Sequence, residues 1–257
     1  MVKGLELFRD EFKGFEDCYT LIGGAACELW MGELGLEFRK TTDLDIVLVF
    51  EGQRPDFVEK LWAFIKQGGY LGYQAGETPS NFYRFHKPRR PGFPSKLEIS
   101  TKHPVDVPAG VRILRIPAGE DVSSLSAILL DGDYFDLVRA HTVLIRGVST
   151  VTATCLIPLK AKAWLNLAEM KAKGGAVDQK QVDKHRNDVF RLLLTVAPAD
   201  MIGLVPAVQD DLRLFINQFP PDSPTWGSIR DALKSNNLTL PPIQEAIQLF
   251  KTLHGLA

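Results

Sequence analysis

Leu5, Phe8, Phe12 and Phe15 recur at helical spacing with Glu6, Arg9, Asp10 and Lys13 between them, which predicts an amphipathic helix over residues 3–17. The short apolar run Tyr19–Ile22 ends at Gly23-Gly24 and reads as a buried strand, with a helix over Ala25–Leu34 behind it. Thr42–Phe50 reads as a second strand, because Ile46-Val47-Leu48-Val49-Phe50 is continuously apolar. Residues 55–67 open with Pro55 where a first helical turn tolerates it and stop before Gly68-Gly69, the punctuation of a helix. Asn81–His86 and Lys96–Thr101 alternate as strands do, and the Pro- and Gly-rich stretch 87–94 between them reads as a connection. Val111–Ile116 and Val143–Val148 are strand-like, and Asp131-Gly132-Asp133 reads as a turn. From Pro158, placed at a helix start, the period turns helical. A loop at Gly174-Gly175 separates that helix from one over Gln179–Val196, and two or three more follow Ala199 between Pro220-Pro221, Pro224 and Pro241-Pro242. The expected class is α+β, with a mixed-sheet domain over residues 1–155 and a helical domain over 156–257.

Composition narrows this picture without changing it. A chain of 257 residues, 45% apolar and 24% charged, suits a globule with a sizeable core. A net charge of −1 leaves no overall positive field to attract nucleic acid, so an RNA partner needs a local patch. The densest basic stretch is Lys87, Arg89 and Arg90, flanked by Arg84, His86 and Lys96, which is either a solvated hairpin tip or a contact for triphosphate or an RNA backbone. Cys18, Cys27 and Cys155 fit neither zinc spacing nor a disulfide framework and are expected as buried thiols in a reducing cytoplasm. The charged N-terminus does not read as a signal peptide, and no apolar run reaches the roughly 18 residues of a membrane span.

The candidate chemistry sits on the second strand. Asp43 and Asp45 are two residues apart, so both carboxylates project from one face. Like charges so close resist joint ionisation. Mg²⁺ relieves that repulsion, and it favours one or two carboxylates together with substrate phosphates. Gly23 and Gly24 let a ligand approach the backbone, and the helix after them offers free N–H groups and a positive dipole end. Glu98 lies in the middle of the apolar strand Leu97-Glu98-Ile99, a place for an acid that faces an ion or a wet site, or that points outward from a one-sided sheet. Asp131 and Asp133 also form Asp-x-Asp, but in a turn, and are read as structural.

A Gly-Gly turn followed about 20 residues later by a strand bearing Asp-x-Asp resembles the nucleotidyltransferase superfamily of the polymerase-β type. Arg39, Thr41, Asp43 and Asp45 form R-x-T-x-D-x-D, which is similar to the AbiEii/MenT-like branch, a group that includes toxins of toxin–antitoxin systems. The run Lys96-Leu97-Glu98-Ile99-Ser100 resembles the strand that brings a third carboxylate, with Glu98 in place of the commoner Asp. In the AbiEii/MenT-like group a helix carrying a lysine is followed by a helix carrying an aspartate before a hydrophobic and an aromatic residue. The matches here are Lys162, or Lys160 two residues earlier, and Asp188 before Val189-Phe190, with Lys184 and Asn187 beside it. The resemblance covers the first two-thirds of the chain and fades after about residue 197.

The resemblance implies a nucleoside monophosphate moved from an NTP to an acceptor, with one or two Mg²⁺ held by Asp43, Asp45 and Glu98. It implies Gly23, Gly24, Arg39, Thr41 and Lys162 or Lys160 as NTP-binding, and Asp188 as required for activity. Arg84, Lys87, Arg89 and Arg90 are candidates for acceptor binding. The acceptor stays open between a tRNA 3′ end, a protein hydroxyl and a small molecule of the antibiotic type, and a cognate antitoxin is a possible partner. The rival readings are a non-catalytic module of the same fold and a globule whose acids are surface residues.

Overall fold

The computed structural model describes residues 2–50, 52–74, 81–103, 113–115, 128–129 and 131–256. The chain divides into two compact units. The first comprises Met1–Leu29, Lys40–Leu130 and Thr142–Val151; the second comprises Trp30–Arg39, Asp131–His141 and Thr152–Ala257.

All the strands fall in the first unit: β1 (Tyr19–Ile22), β2 (Asp43–Leu48), β3 (Leu71–Gln74), β4 (Phe82–His86), β5 (Lys96–Thr101), β6 (Ile113–Arg115), β7 (Thr142–Ile145) and β8 (Val148–Val151). They form one sheet in the order β6-β3-β4-β5-β2-β1-β8-β7. It is mixed, as expected: β2 runs parallel to β5 and antiparallel to β1, while β4 runs antiparallel to β5. Its helices are α1 (Leu5–Glu11), α2 (Gly23–Glu33), which ends in the second unit, and α3 (Pro55–Gly68).

Two helices cover one face of this sheet with aromatic rings. Phe8 of α1 meets Tyr19 edge-on at 5.1 Å between ring centres, and Trp62 of α3 meets Tyr83 and Phe85 at 5.9 and 5.8 Å. The amphipathic pattern of α3 buries Phe57, Leu61, Trp62, Phe64 and Ile65, and each such side chain contributes about 1.5–3 kcal/mol when withdrawn from water. The neighbouring strand positions Leu44, Ile46, Leu97 and Ile99 are buried. Strand alternation therefore sends residues 43, 45, 96 and 98 to the opposite face.

The second unit is helical over α4 (Gly132–Ala140), α5 (Ala153–Ala172), α6 (Gln179–Leu193), a 3₁₀ turn at Pro198–Asp200, α7 (Pro206–Ile216), α8 (Thr225–Lys234) and α9 (Ile243–Leu253). Its core is again aromatic: Trp164 meets Phe215 and Phe219 at 5.4 and 5.3 Å, and Phe190 meets Trp226 at 5.0 Å.

Several local expectations change. The first helix covers Leu5–Glu11 rather than 3–17, although Phe12 beyond it is still fully buried. The strand expected over Val143–Val148 is a hairpin: Arg146 and Gly147 both have positive φ, at 50° and 76°, the pattern of a type I′ turn, and Ile145 pairs with Val148. Asp131-Gly132-Asp133 is a helix start, because the Asp131 carboxylate accepts the N–H of Asp133 at 3.0 Å and caps α4. Pro158 lies inside α5, whose cap is Thr152; the Thr152 hydroxyl accepts the Cys155 N–H at 3.3 Å. Cys18, Cys27 and Cys155 are buried thiols outside any disulfide, as expected. Among the described residues, no helix is long and apolar enough to cross a membrane. The expected strand over Val111–Ile116 is described at Ile113–Arg115 alone.

Candidate active site

The second face of the sheet carries its charged residues in two rows. Cross-strand partners project to the same side, so the register lays these rows out directly. One row runs Asp43 on β2, Lys96 on β5 and His86 on β4. The next runs Ile22 on β1, Asp45 on β2, Glu98 on β5 and Arg84 on β4. Asp43, Asp45 and Glu98 thus stand together, as the sequence predicts.

Gly23 fixes the near end of the second row. It follows β1 with φ +70°, a conformation that favours glycine, and it opens α2. A Cβ at Gly23 would sit 1.8 Å from Oδ2 of Asp45, so that carboxylate rests on the glycine backbone. α2 begins at Gly23 and Gly24 rather than at Ala25, which puts both glycines in its first turn, where backbone N–H groups lack helical partners. Asp45 therefore lies at the positive end of this helix.

The far end is fixed by cations. Arg84 Nε donates to Glu98 Oε1 at 2.8 Å, and Lys96 Nζ lies 3.3 Å from the same oxygen and 3.1 Å from Asp43 Oδ2. The Thr42 hydroxyl donates to Asp43 Oδ1 at 3.0 Å. Burial pushes the Glu98 pKa up, but the charges of Lys96 and Arg84 and the Arg84 hydrogen bond outweigh it, so Glu98 is held below its ordinary value. Burial likewise lowers the Lys96 pKa, and the charges of Glu98, Asp43 and Asp45 reverse that to a net rise. The Asp43 side chain is 37% exposed and Glu98 1%, so the rows grade from wet to dry.

These donors are hard oxygens, and Asp43 and Asp45 are half-buried on one face, which fits a Mg²⁺ held by one or two carboxylates and substrate phosphates. Among the described residues, no group of three or more His, Cys, Asp and Glu side chains is arranged to hold a metal ion unaided.

Arg39 pairs with Asp188 in the second unit: Nε donates to Oδ1 at 3.0 Å and Nη2 to Oδ2 at 2.8 Å. Lys160 Nζ adds a contact at 3.3 Å and Arg191 Nη1 one at 3.1 Å. Asp188 is fully buried and Lys160 is 1% exposed. Burial alone would raise the Asp188 pKa; the charges of Lys160, Arg39 and Arg191 and the Arg39 hydrogen bond hold it far below the carboxylate range. Lys162, a quarter exposed, instead reaches Asp211 at 2.8 Å, and the Tyr134 hydroxyl donates to that same carboxylate at 2.9 Å. Thr41 is half-buried just before β2. Lys87, Arg89 and Arg90 are exposed on the β4–β5 connection, whereas Arg84 is turned to the acids and buried.

Lys96 and His86 read in the sequence as flanks of the basic loop. The signal of their true place was the period of two in Phe82-Tyr83-Arg84-Phe85-His86 and Lys96-Leu97-Glu98, which puts each on the same face as its acidic or basic neighbour.

No family model matches this chain, and no curated protein matches it significantly. Among solved structures it is similar to an antigenic nucleotidyltransferase-like protein from Paracoccidioides brasiliensis, at 16% identity and a TM-score of 0.39, covering 90% of this chain and 94% of that one. At that identity and score the likeness carries no functional argument.

Proposed function

We propose that this chain is a Mg²⁺-dependent nucleotidyltransferase that moves a nucleoside monophosphate from an NTP to an acceptor hydroxyl. The observation that carries the reading is the alignment of Asp45 with Glu98 across β2–β5, with Asp43 two residues along and the N-terminus of α2 at Gly23 beside them. The R-x-T-x-D-x-D run supports the same reading. Asp43 and Asp45 would hold the ion, with Glu98 as the third acid. Mg²⁺ supplies charge neutralisation of the phosphates and lowers the pKa of a bound hydroxyl. The acceptor oxygen would give up its proton to solvent water and bond to the α-phosphorus as the bond to pyrophosphate breaks, with pyrophosphate leaving with the bonding electrons.

The protein's part in such chemistry is positioning and electrostatics. Arg84 and Lys96 keep Glu98 ionised and oriented. A carboxylate held below its ordinary pKa has little appetite for a proton, so Glu98 serves as a ligand rather than as the base. The first turn of α2 at Gly23 and Gly24, the positive end of its dipole, suits the triphosphate. Lys162 is the lysine of its pair that can exchange a partly exposed carboxylate for a phosphate, since Lys160 is buried against Asp188. The exposed Lys87, Arg89 and Arg90 suit an RNA backbone, which favours a tRNA 3′ end over a protein hydroxyl as acceptor. A second reading, a non-catalytic module of the same fold, is favoured by one observation: Asp43 and Glu98 already have cationic partners.

The test is label transfer from each α-³²P NTP with Mg²⁺, in the presence and absence of total tRNA. Label on RNA supports the proposal and identifies the base. Label on the protein itself moves the acceptor to a protein hydroxyl. No label with any NTP, together with no thermal shift from Mg²⁺–NTP, supports the non-catalytic module.

A further inference from the structure

We infer that the connection between β4 and β5 is a rigid platform that grips the phosphate backbone of a paired RNA stem at the open end of the acid rows. This rests on the reading above, in which RNA is the acceptor, and deepens it by naming the part of the RNA that is held. The connection leaves the sheet at His86 and returns at Lys96, neighbours in the row that Asp43 opens. It therefore stands at the partly wet end of the acids. Its exposed side chains include Lys87, Arg89 and Arg90, and among the described residues none of these three is in an ion pair.

A loose tip would hold phosphates at a high cost in ordering, but this connection is tied down along its length. The N–H groups of Arg89 and Arg90 both donate to the Gly68 carbonyl, at 2.9 and 3.3 Å. The Tyr70 hydroxyl donates to the Pro94 carbonyl at 2.7 Å, and the Ser95 N–H to the Thr42 carbonyl at 3.2 Å, next to Asp43. A Cβ at Gly69 would lie 3.2 Å from Cβ of Arg89 and 3.4 Å from its Cγ and Cδ, so the stem of Arg89 lies along that glycine. Lys87 has φ 52°, a left-handed backbone that glycine holds at less cost than any long side chain. A lysine placed there against the preference of the backbone points to a use for its ammonium.

The choice of a stem over a single strand follows from what the connection hides. Single strands are held largely by bases stacked on aromatic rings. The ring of this connection, Phe93, is buried, 4.9 Å from Phe64 and 6.1 Å from Tyr70 between ring centres. What remains outside is charge, which suits phosphates, and a paired stem presents phosphates in a fixed array while hiding its bases.

The probe is a fluorescently labelled RNA hairpin with a short 3′ overhang, compared with a single-stranded RNA of the same length, each titrated with the full chain and followed by anisotropy. The wild type is expected to bind the hairpin about fivefold or more tighter than the single strand. Three phosphate contacts predict hairpin binding about 40-fold weaker at 200 mM than at 50 mM salt. The triple variant Lys87→Gln, Arg89→Gln, Arg90→Gln, its fold checked by circular dichroism, is expected to bind about tenfold or more weaker at 50 mM salt, with most of that salt dependence gone. Lys87→Gly carries the test should the triple variant not fold: its urea midpoint is expected to hold or rise, because glycine suits that φ, while hairpin binding weakens and the salt slope falls by about one. Unchanged hairpin binding and slope in the folded triple variant would overturn the inference, and so would equal affinity for hairpin and single strand. No RNA bound by the wild type at 50 mM salt would also overturn it and give the platform to an acidic protein surface. In each of these cases a thermal shift of the wild type by Mg²⁺–NTP leaves the transferase reading standing, and its absence together with failed label transfer overturns that reading too.

Discussion

Two aspartate-centred clusters, one in each unit, differ in how wet their carboxylates are and in what surrounds them. Beside Asp45 stand two further acids, Asp43 and Glu98, and the outer one, Asp43, is partly wet. Around Asp188, one dry carboxylate faces Arg39, Lys160 and Arg191. The resemblance that singles out Asp43 and Asp45 also singles out Asp188, yet the environments give them different work. A carboxylate that holds three cations in a dry core stabilises the fold. One on a half-buried face beside a helix N-terminus can take a ligand.

The sharpest way to break this contrast is to remove each carboxylate in turn. Asp188→Ala strands buried cations and is expected to cost about 3–5 kcal/mol, enough to unfold the chain or collapse its urea midpoint. Asp43→Ala, at a partly exposed pair, is expected to change the midpoint by less than about 1 kcal/mol. Equal losses would erase the distinction. Gly23→Ala comes next: a left-handed backbone costs a side-chain residue roughly 1–2 kcal/mol, and the new methyl displaces Asp45, so stability and label transfer are expected to fall together.

Acid should separate the clusters more gently. Burial, with Lys160 and Lys184 adding to it, holds the His185 pKa well below its usual 6.5. The folded chain keeps that ring neutral while the unfolded chain takes up a proton, so stability is fully present above pH 6.5 and declines as pH falls below it, by at most about 1.4 kcal/mol per pH unit. The lowered carboxylates Asp188 and Glu98 add losses only at more acid pH, below their ordinary values of 3.8 and 4.5. Urea unfolding at pH 7 and pH 5 checks this, and His185→Gln is expected to flatten the slope between them. The smallest effect is Lys162→Met, which loses a partly exposed pair with Asp211 and is expected to cost under about 1 kcal/mol.

How much of this was legible in the sequence depended on what sets each feature. The strands β2 and β5 were legible because apolar runs and alternation are local, and so was the gathering of Asp43 and Asp45, two residues apart on one strand. Glu98 was placed by resemblance. Lys96 was not found: its partner Asp43 is 53 positions away, and which strand lies beside which, in what register, is decided by the whole sheet. Arg39 sits in the motif next to Asp43, yet its bidentate partner is Asp188, 149 positions on. Pro158 misled because proline marks helix starts by frequency, while the Thr152 hydroxyl sets this start by a hydrogen bond. Arg146-Gly147 lacks the Asn-Gly or Asp-Gly spelling of a two-residue turn, so the hairpin was read as one strand.

The central claim is that Asp45 serves chemistry rather than the fold, and one paired measurement on Asp45→Asn tests it: transfer of α-³²P label from NTP, normalised to the folded fraction from urea unfolding. The account predicts an unfolding midpoint within about 1 kcal/mol of wild type and transfer reduced by about 100-fold or more. Wild-type transfer by a fully folded Asp45→Asn chain would contradict it.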